Sequence, residues 1–268
     1  MNEIEQRFKR LKSKGRAALI CYLMAGDPDL DTTEALVLKI ADSGADVIEL
    51  GVPYSDPLAD GPTIQAASQR ALQRGVNLKE VFRVTQRLKE RVPPLVIMTY
   101  FNPVFRYGLE AFAEDCQRNG VAGVIIPDLP PEEAGPWIRE ARKGKRDTIF
   151  LASPTSPPGR IKMISHLSRG FIYYVSITGV TGVREKLSGD LEAAVRRIQE
   201  ESQKPVAVGF GISSPDQARE VSRFADGVIV GSAIVKIIEE ESRKESLLPR
   251  MEAFIASLSA ALRREEWR

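Results

Sequence analysis

Val47-Ile48-Glu49-Leu50-Gly51-Val52-Pro53-Tyr54-Ser55-Asp56-Pro57-Leu58-Ala59-Asp60-Gly61-Pro62 begins as an apolar run, places one carboxylate inside it, and then enters a loop holding two more. Read as a strand over Asp46–Leu50, the run puts Val47 and Glu49 on one face and Ile48 and Leu50 on the other, because side chains alternate. Apolar residues on both faces mark a parallel strand covered on both sides. Glu49 is then shut away from bulk water. Burying a carboxylate is costly, and desolvation raises its pKa towards the range where it can both give and take a proton. The alternative is a glutamate paired with a Lys or Arg at the rim.

The same grammar extends outward in both directions. Further short apolar strand candidates are Ala18–Leu23, Leu95–Thr99, Val121–Ile126, Thr148–Leu151, Phe171–Val175, Val206–Val208 and Gly227–Val230. Helical periodicity separates them, over Thr32–Ser43, Gln65–Gln73, Leu78–Arg91, Leu109–Asn119, Glu132–Arg142, Gly159–Leu167, Asp190–Glu200, Asp216–Arg223, Ala233–Glu240 and Leu247–Leu262. An opening helix over about residues 2–13 precedes the first strand. Eight strand–helix units in 268 residues predict a single (β/α)8 TIM barrel over residues 1–268. It carries an extra N-terminal helix and additional helices in βα loops 2 and 8. A doubly wound open sheet is the runner-up.

Composition removes several classes of function. The 38 basic and 36 acidic residues nearly cancel, to a net charge of +2. No basic block interleaved with aromatics suggests nucleic acid. No run approaches the ~18 apolar residues of a membrane span. The start, Met1 to Phe8, has no apolar signal core, so a cytoplasmic protein is expected. Cys21 and Cys116 follow no metal spacing and read as reduced structural thiols. The one histidine, His166, excludes a multi-histidine metal site and reads as an idle residue on a surface helix. Any catalysis therefore falls to carboxylates and backbone dipoles.

In a barrel the chemistry sits at the C-terminal ends of the strands. That ranks Glu49, Tyr100, Asn102, Asp128, Tyr173, Gly209-Phe210-Gly211 and Gly231-Ser232 as candidates. The last three loops hold Thr178-Gly179-Val180-Thr181-Gly182, Gly209-Phe210-Gly211-Ile212-Ser213 and Gly231-Ser232-Ala233. Glycine lets amides approach an anion, and a helix N-terminus adds its dipole. Together they read as a phosphate site, although each glycine alone could be a turn, and Ser232 or Ser213 a helix cap. Asp60 is open in the same way. It can cap the helix that Pro62 starts, or fold back with its loop over the mouth as a second carboxylate. Arg184 and Lys186 could attract the anion or lie on the solvated surface.

The motifs Ala25-Gly26-Asp27-Pro28, Glu49 to Pro62, Met98-Thr99-Tyr100-Phe101-Asn102-Pro103, Pro127-Asp128-Leu129-Pro130, Thr178 to Gly182, Gly209-Phe210-Gly211-Ile212 and Gly231-Ser232 resemble the tryptophan synthase alpha subunit family over essentially the full chain. The resemblance implies retro-aldol cleavage of indole-3-glycerol phosphate to indole and glyceraldehyde 3-phosphate. It implies Glu49 as general acid–base and Asp60 as the partner of the indole N–H. It implies Thr181, Gly182, Gly211, Gly231 and Ser232 around the phosphate, and Tyr22, Ile64, Tyr173 and Phe210 around the ring. It further implies docking on a beta subunit in an alpha2beta2 complex, through Tyr54–Asp60, Phe101–Tyr107 and Asp128–Pro131, with indole passed on internally. Thr178–Leu187 would be a lid. Pyridoxal phosphate is expected only in that partner, and no cofactor or metal in this chain. Met24 and Cys21 depart from the family's usual residues beside the expected ring pocket. A free-standing lyase of the same chemistry is the alternative.

Overall fold

The structure, a computed structural model, describes residues 2–175, 184–209, 211–242 and 244–263, with the backbone alone over 184–189. The chain runs α1 (Glu3–Lys12), β1 (Ala18–Met24), α2 (Leu30–Asp42), β2 (Val47–Gly51), α3 (Pro62–Gln73), α4 (Leu78–Leu88), β3 (Leu95–Met98), α5 (Phe101–Tyr107), α6 (Leu109–Arg118) and β4 (Val121–Ile125). It continues through α7 (Gly135–Lys143), β5 (Asp147–Ile149), β6 (Leu151–Ala152), α8 (Pro158–Leu167), β7 (Ile172–Val175), α9 (Arg184–Glu201), β8 (Val206–Gly209), α10 (Pro215–Ser222), β9 (Gly227–Val230), α11 (Ser232–Glu241) and α12 (Leu247–Ala261).

All strand pairs are parallel, in the order β5-β4-β3-β2-β1-β9-β8-β7-β6. The two ends of that order, β5 and β6, are separated in the chain by Phe150 alone. The Tyr173 amide donates to the Phe150 carbonyl at 3.1 Å, continuing the ladder across the gap. The sheet therefore closes on itself, and its nine pieces are the eight expected staves.

Alternation sorts the side chains into two cores. Ala18, Ile20, Val47, Val96, Ile125, Ile149, Phe171, Ala207 and Ile229 fill the inside of the barrel. Leu19, Leu23, Ile48, Leu50, Ile97, Val124, Val208 and Val230 face the helices. The opening helix explains itself by its pattern. Ile4, Phe8 and Leu11 make its buried stripe and join the inner cluster, closing the barrel from below. Asn2 caps it by accepting from the Glu5 amide at 2.9 Å, and its Nδ2 donates to Asp147 at the start of β5.

Two helices follow β2 and two follow β9, as expected. The helix α5 lies outside the stretches of helical periodicity in the sequence. Asp128 Oδ1 accepts from the Phe101 amide at 2.8 Å and satisfies an otherwise free donor of its first turn. Pro103 falls in that same turn, where no intrahelical amide bond is lost. Helix α4 stops at Leu88 rather than Arg91, because Lys89 turns to ψ 133° and Glu90 to φ 65°. Cys21 and Cys116 are both buried and unbonded. No helix among the described residues is long and apolar enough to cross a membrane. Phe8 is 4% exposed and packs its ring 5.6 Å from that of Phe171. Phe8→Ala is expected to cost about 3 kcal/mol of stability, read as a lower urea midpoint at unchanged slope.

Candidate active site

Strand register brings the first site residues together. Tyr22 and Glu49 are Cα partners across β1 and β2. Both side chains point into the barrel at its C-terminal mouth, one turn of the pleat above Ile20 and Val47. Tyr173 enters the same layer from β7, pairing with Ala207. Two glycines make room for these rings. A Cβ at Gly51 would collide with the Tyr22 hydroxyl, and one at Gly209 would lie 2.8 Å from that of Tyr173.

Glu49 is fully buried, and neither carboxylate oxygen meets a hydrogen-bond partner among the described residues. Among the described residues no Lys or Arg pairs with it, and the carboxyl is buried rather than at the rim. Burial first, and the charge of Asp60 second, push the Glu49 carboxyl up to about 8. Asp60 is pushed up to about 6 by burial, held back by a hydrogen bond to Tyr100. The two titrate as a pair. Asp60 ionises first, and its charge then opposes ionisation of Glu49. Tyr22 and Tyr173 are each driven well above the ordinary phenol range, by burial first and then by these same two carboxylates.

The loop after β2 does fold back over the mouth. Helix α3 is capped by Gly61, with Pro62 in its first turn and no side-chain cap, so Asp60 is free of the capping role. Its backbone carbonyl instead accepts from Gln65 Nε2 at 2.8 Å. The Tyr100 hydroxyl accepts from the Ala59 amide at 3.0 Å. Tyr54 stacks on Tyr100 at 5.1 Å between ring centroids. Ser68 Oγ clamps Tyr54 from α3, accepting from its amide and donating to its carbonyl, both at 2.9 Å. Ile64 lies half-buried in the first turn of α3, packed against the outer core.

Two staves round the barrel from β2, beyond β1, β9 leads into α11, which begins at Ser232. Gly231 is its N-cap and no side chain caps it, so Ser232 is not the cap. Its first-turn amides are left for another acceptor. A Cβ at Gly231 would rest 3.4 Å from that of Tyr22, which sets this helix end beside the ring layer. Gly211 takes φ +49° in the exposed stretch before α10. Ser214, not Ser213, caps α10, while Ser213 donates to Gln217 Oε1 from its amide at 2.9 Å and its hydroxyl at 3.2 Å. Thr181, Gly182 and Phe210 lie outside the described residues, as do the side chains of Arg184 and Lys186. No cluster of metal-ligating side chains occurs among the described residues. His166 is exposed on α8.

The family model described as "Tryptophan synthase alpha chain" matches residues 8–263. The chain belongs to that family. It is 46% identical over 264 residues to the tryptophan synthase alpha chain of Thermoanaerobacter sp. (strain X514), covering 98% of this chain and 100% of that one. It is 48% identical over 263 residues to that of Geobacter sulfurreducens, covering 98% and 99%. Among solved structures it is similar to tryptophan synthase subunit alpha from Legionella pneumophila, with a TM-score of 0.91 at 36% identity over 98% of both chains. It is equally similar to a chain of tryptophan synthase from M. tuberculosis, with a TM-score of 0.90 at 38% identity over 99% and 100%.

Of the two departures from the family's usual residues, Cys21 points outward into the helix-facing core and away from the ring layer. Met24 is 2% exposed at the end of β1, opposite Gly51. The sequence reading ranked Tyr100 only by its place after a strand. Its hold on the Asp60 loop spans about 40 residues, and nothing in local pattern signals it.

The raised Glu49 carboxyl has a signed consequence for stability. Below its unfolded value of 4.5 the group is protonated in both states. Between there and about 8 only the unfolded chain releases the proton, so stability falls as pH rises. Glu49→Gln is therefore expected to be more stable than the parent at alkaline pH, by at most roughly 5 kcal/mol. The gain should vanish towards about pH 4 in urea titrations.

Proposed function

We propose that Glu49 and Asp60 carry the carbon–carbon cleavage that belongs to a tryptophan synthase alpha chain, an indole-3-glycerol-phosphate lyase. The observation that carries this reading is a fully buried, unpartnered Glu49 with a second carboxylate near enough to raise its pKa. Near neutral pH, Glu49 holds a proton and Asp60 is largely ionised. Glu49 gives its proton to C3 of the indole ring, and positive charge develops at the ring nitrogen. Asp60 accepts a hydrogen bond from the indole N–H and stabilises that charge. The Glu49 carboxylate so formed then takes the proton of the glycerol hydroxyl on the adjoining carbon. As that oxygen becomes the aldehyde carbonyl, the carbon–carbon bond breaks and its electrons return to the ring. Glu49 ends protonated, with indole and glyceraldehyde 3-phosphate as products.

The substrate's two ends have matching surroundings. Tyr22 and Tyr173 offer ring faces beside Glu49, with Ile64 on the loop side. The uncapped start of α11 at Gly231 and Ser232 suits the phosphate, with Gly211 on the loop after β8, the neighbouring stave. Thr181, Gly182 and Phe210 complete the set by family likeness.

The chain also has a face suited to a beta subunit. Leu58, in the loop after β2, is 92% exposed and Phe105, on α5, 66%, two large apolar side chains at the mouth end of the barrel. Tyr54–Asp60, Phe101–Tyr107 and Asp128–Pro131 are knit together by Asn102 Nδ2 donating to the Tyr54 hydroxyl at 3.2 Å and by the Phe101–Asp128 bond. We infer that this face docks the partner in an alpha2beta2 assembly, that indole passes to it, and that pyridoxal phosphate resides there. The beta-independent lyase differs in one respect: its rate does not depend on adding the partner.

Indole release from indole-3-glycerol phosphate tests both readings. A slow rate that rises strongly with a beta subunit supports docking, and a fast rate unchanged by it supports the free-standing enzyme. Glu49→Gln is expected to lose at least about a hundredfold in kcat, and an unchanged rate removes the assignment. The pH profile of kcat/KM should be a bell with its plateau between about 6 and about 8. The lower limb reports ionisation of Asp60 and the upper limb loss of the Glu49 proton.

A further inference from the structure

We infer that Arg70 is a positioning residue that couples the Asp60 loop to the phosphate-facing helix α11. The inference rests on the roles proposed above for Glu49, Asp60 and α11.

Arg70 lies on α3, two residues beyond Ser68, the clamp on Tyr54. Its Nε and Nη2 donate to Asp27 Oδ1 and Oδ2, each at 2.8 Å. This is a bidentate fork on a carboxylate that is 1% exposed. Asp27 sits in the loop that directly continues β1, the strand that carries Tyr22. The remaining nitrogen, Nη1, donates to Glu239 Oε1 at 2.9 Å, on the last turns of α11. One planar group thus touches three elements. Each of them ends at a different part of the mouth: α3 at the Asp60 loop, β1 at the ring layer, and α11 at Gly231 and Ser232.

No other side chain among the described residues bonds to both Asp27 and α11. The loop after β1 is pressed against the end of α3 from the other side, where a Cβ at Gly26 would collide with Val76. The three elements therefore have little freedom to move apart while the fork holds. A lysine cannot reproduce it, since one ammonium lacks the planar pair of donors. Retro-aldol cleavage needs the acid, the ring partner and the phosphate anchor in register. Misplacement of about 1 Å far from the chemistry can cost on the order of a hundredfold in rate.

The test separates positioning from mere stability. Arg70→Leu leaves the Asp27 carboxylate buried without its partner, so a loss of melting temperature is expected whatever its role. The double variant Asp27→Asn with Arg70→Leu removes that buried charge and is expected to recover most of the melting temperature. Its kcat/KM should nonetheless stay about 10- to 100-fold below the parent. Both a lower kcat and weaker binding of glycerol 3-phosphate by calorimetry should contribute, and Arg70→Lys should fall between. If the double variant regains activity together with stability, or if Arg70→Leu keeps both kcat and glycerol 3-phosphate affinity within about twofold, the inference is overturned. Where Arg70→Leu does not fold, the double variant alone decides in the same terms. The parent and Glu49→Gln run in the same assay: equal rates for those two would sink the acid–base reading. The glycerol 3-phosphate affinity would then still decide the role of Arg70.

Discussion

A closed parallel sheet has no edge and only two faces, and everything in this protein depends on that closure. Once β5 and β6 join through Phe150, every second residue of every stave must lie either inside the barrel or under a helix. The inside is dry and already filled by Ile20, Val47, Val96, Ile149, Phe171, Ala207 and Ile229, with α1 sealing the floor. A carboxylate on that face has nowhere to go but the mouth, and Glu49 occupies it. Its raised pKa is a consequence of closure as much as of its own chemistry. Desolvation by the surrounding staves is the largest cause, and Asp60 only adds to it.

The mouth is then finished by groups that are not on the staves at all. Tyr100 follows β3 and holds the loop that follows β2. Ser68 on α3 holds the start of that loop. Each contact satisfies a polar group that the loop would otherwise expose to a half-dry cavity. The result is a carboxylate pair whose members sit in different surroundings. Glu49 has walls and no hydrogen bond, while Asp60 has a phenol and partial access to water. Separation of two pKa values by environment is what lets one carboxyl act as acid while the other stays charged.

The two ends of the substrate place different demands on the fold. In the proposed reading the ring is met by side chains on the staves, Tyr22 and Tyr173, which closure orients rigidly. In the proposed reading the phosphate is met by backbone amides at the start of α11, which depend on where a helix axis points. Small shifts of α11 would move the anchor without disturbing the acid. This is why contacts between α3, the loop after β1 and α11, made by Arg70 with Asp27 and Glu239, bear on function although none of them faces the mouth.

Strand and helix identity was written locally. The apolar runs of the staves and the 3.6-residue stripe of Ile4, Phe8 and Leu11 need no distant partner to be read, and alternation puts Glu49 on the face of Val47; that this face is the barrel interior only the closed sheet decides. The family motifs likewise sit on contiguous residues. What the tertiary structure alone decided is where one segment meets another. By sequence Asp60 and Ser232 each fit a helix cap; in the fold Gly61 is the N-cap of α3 and Gly231 that of α11. Helix α5 was invisible because its first amide is satisfied by Asp128, 27 residues away. Cys21 is near the ring pocket in sequence but faces the other core. The physical reason is the same in each case. Periodicity is a property of one segment, whereas a hydrogen bond, a desolvation penalty or a repulsion between two carboxylates exists only once closure has brought separate segments within a few ångströms.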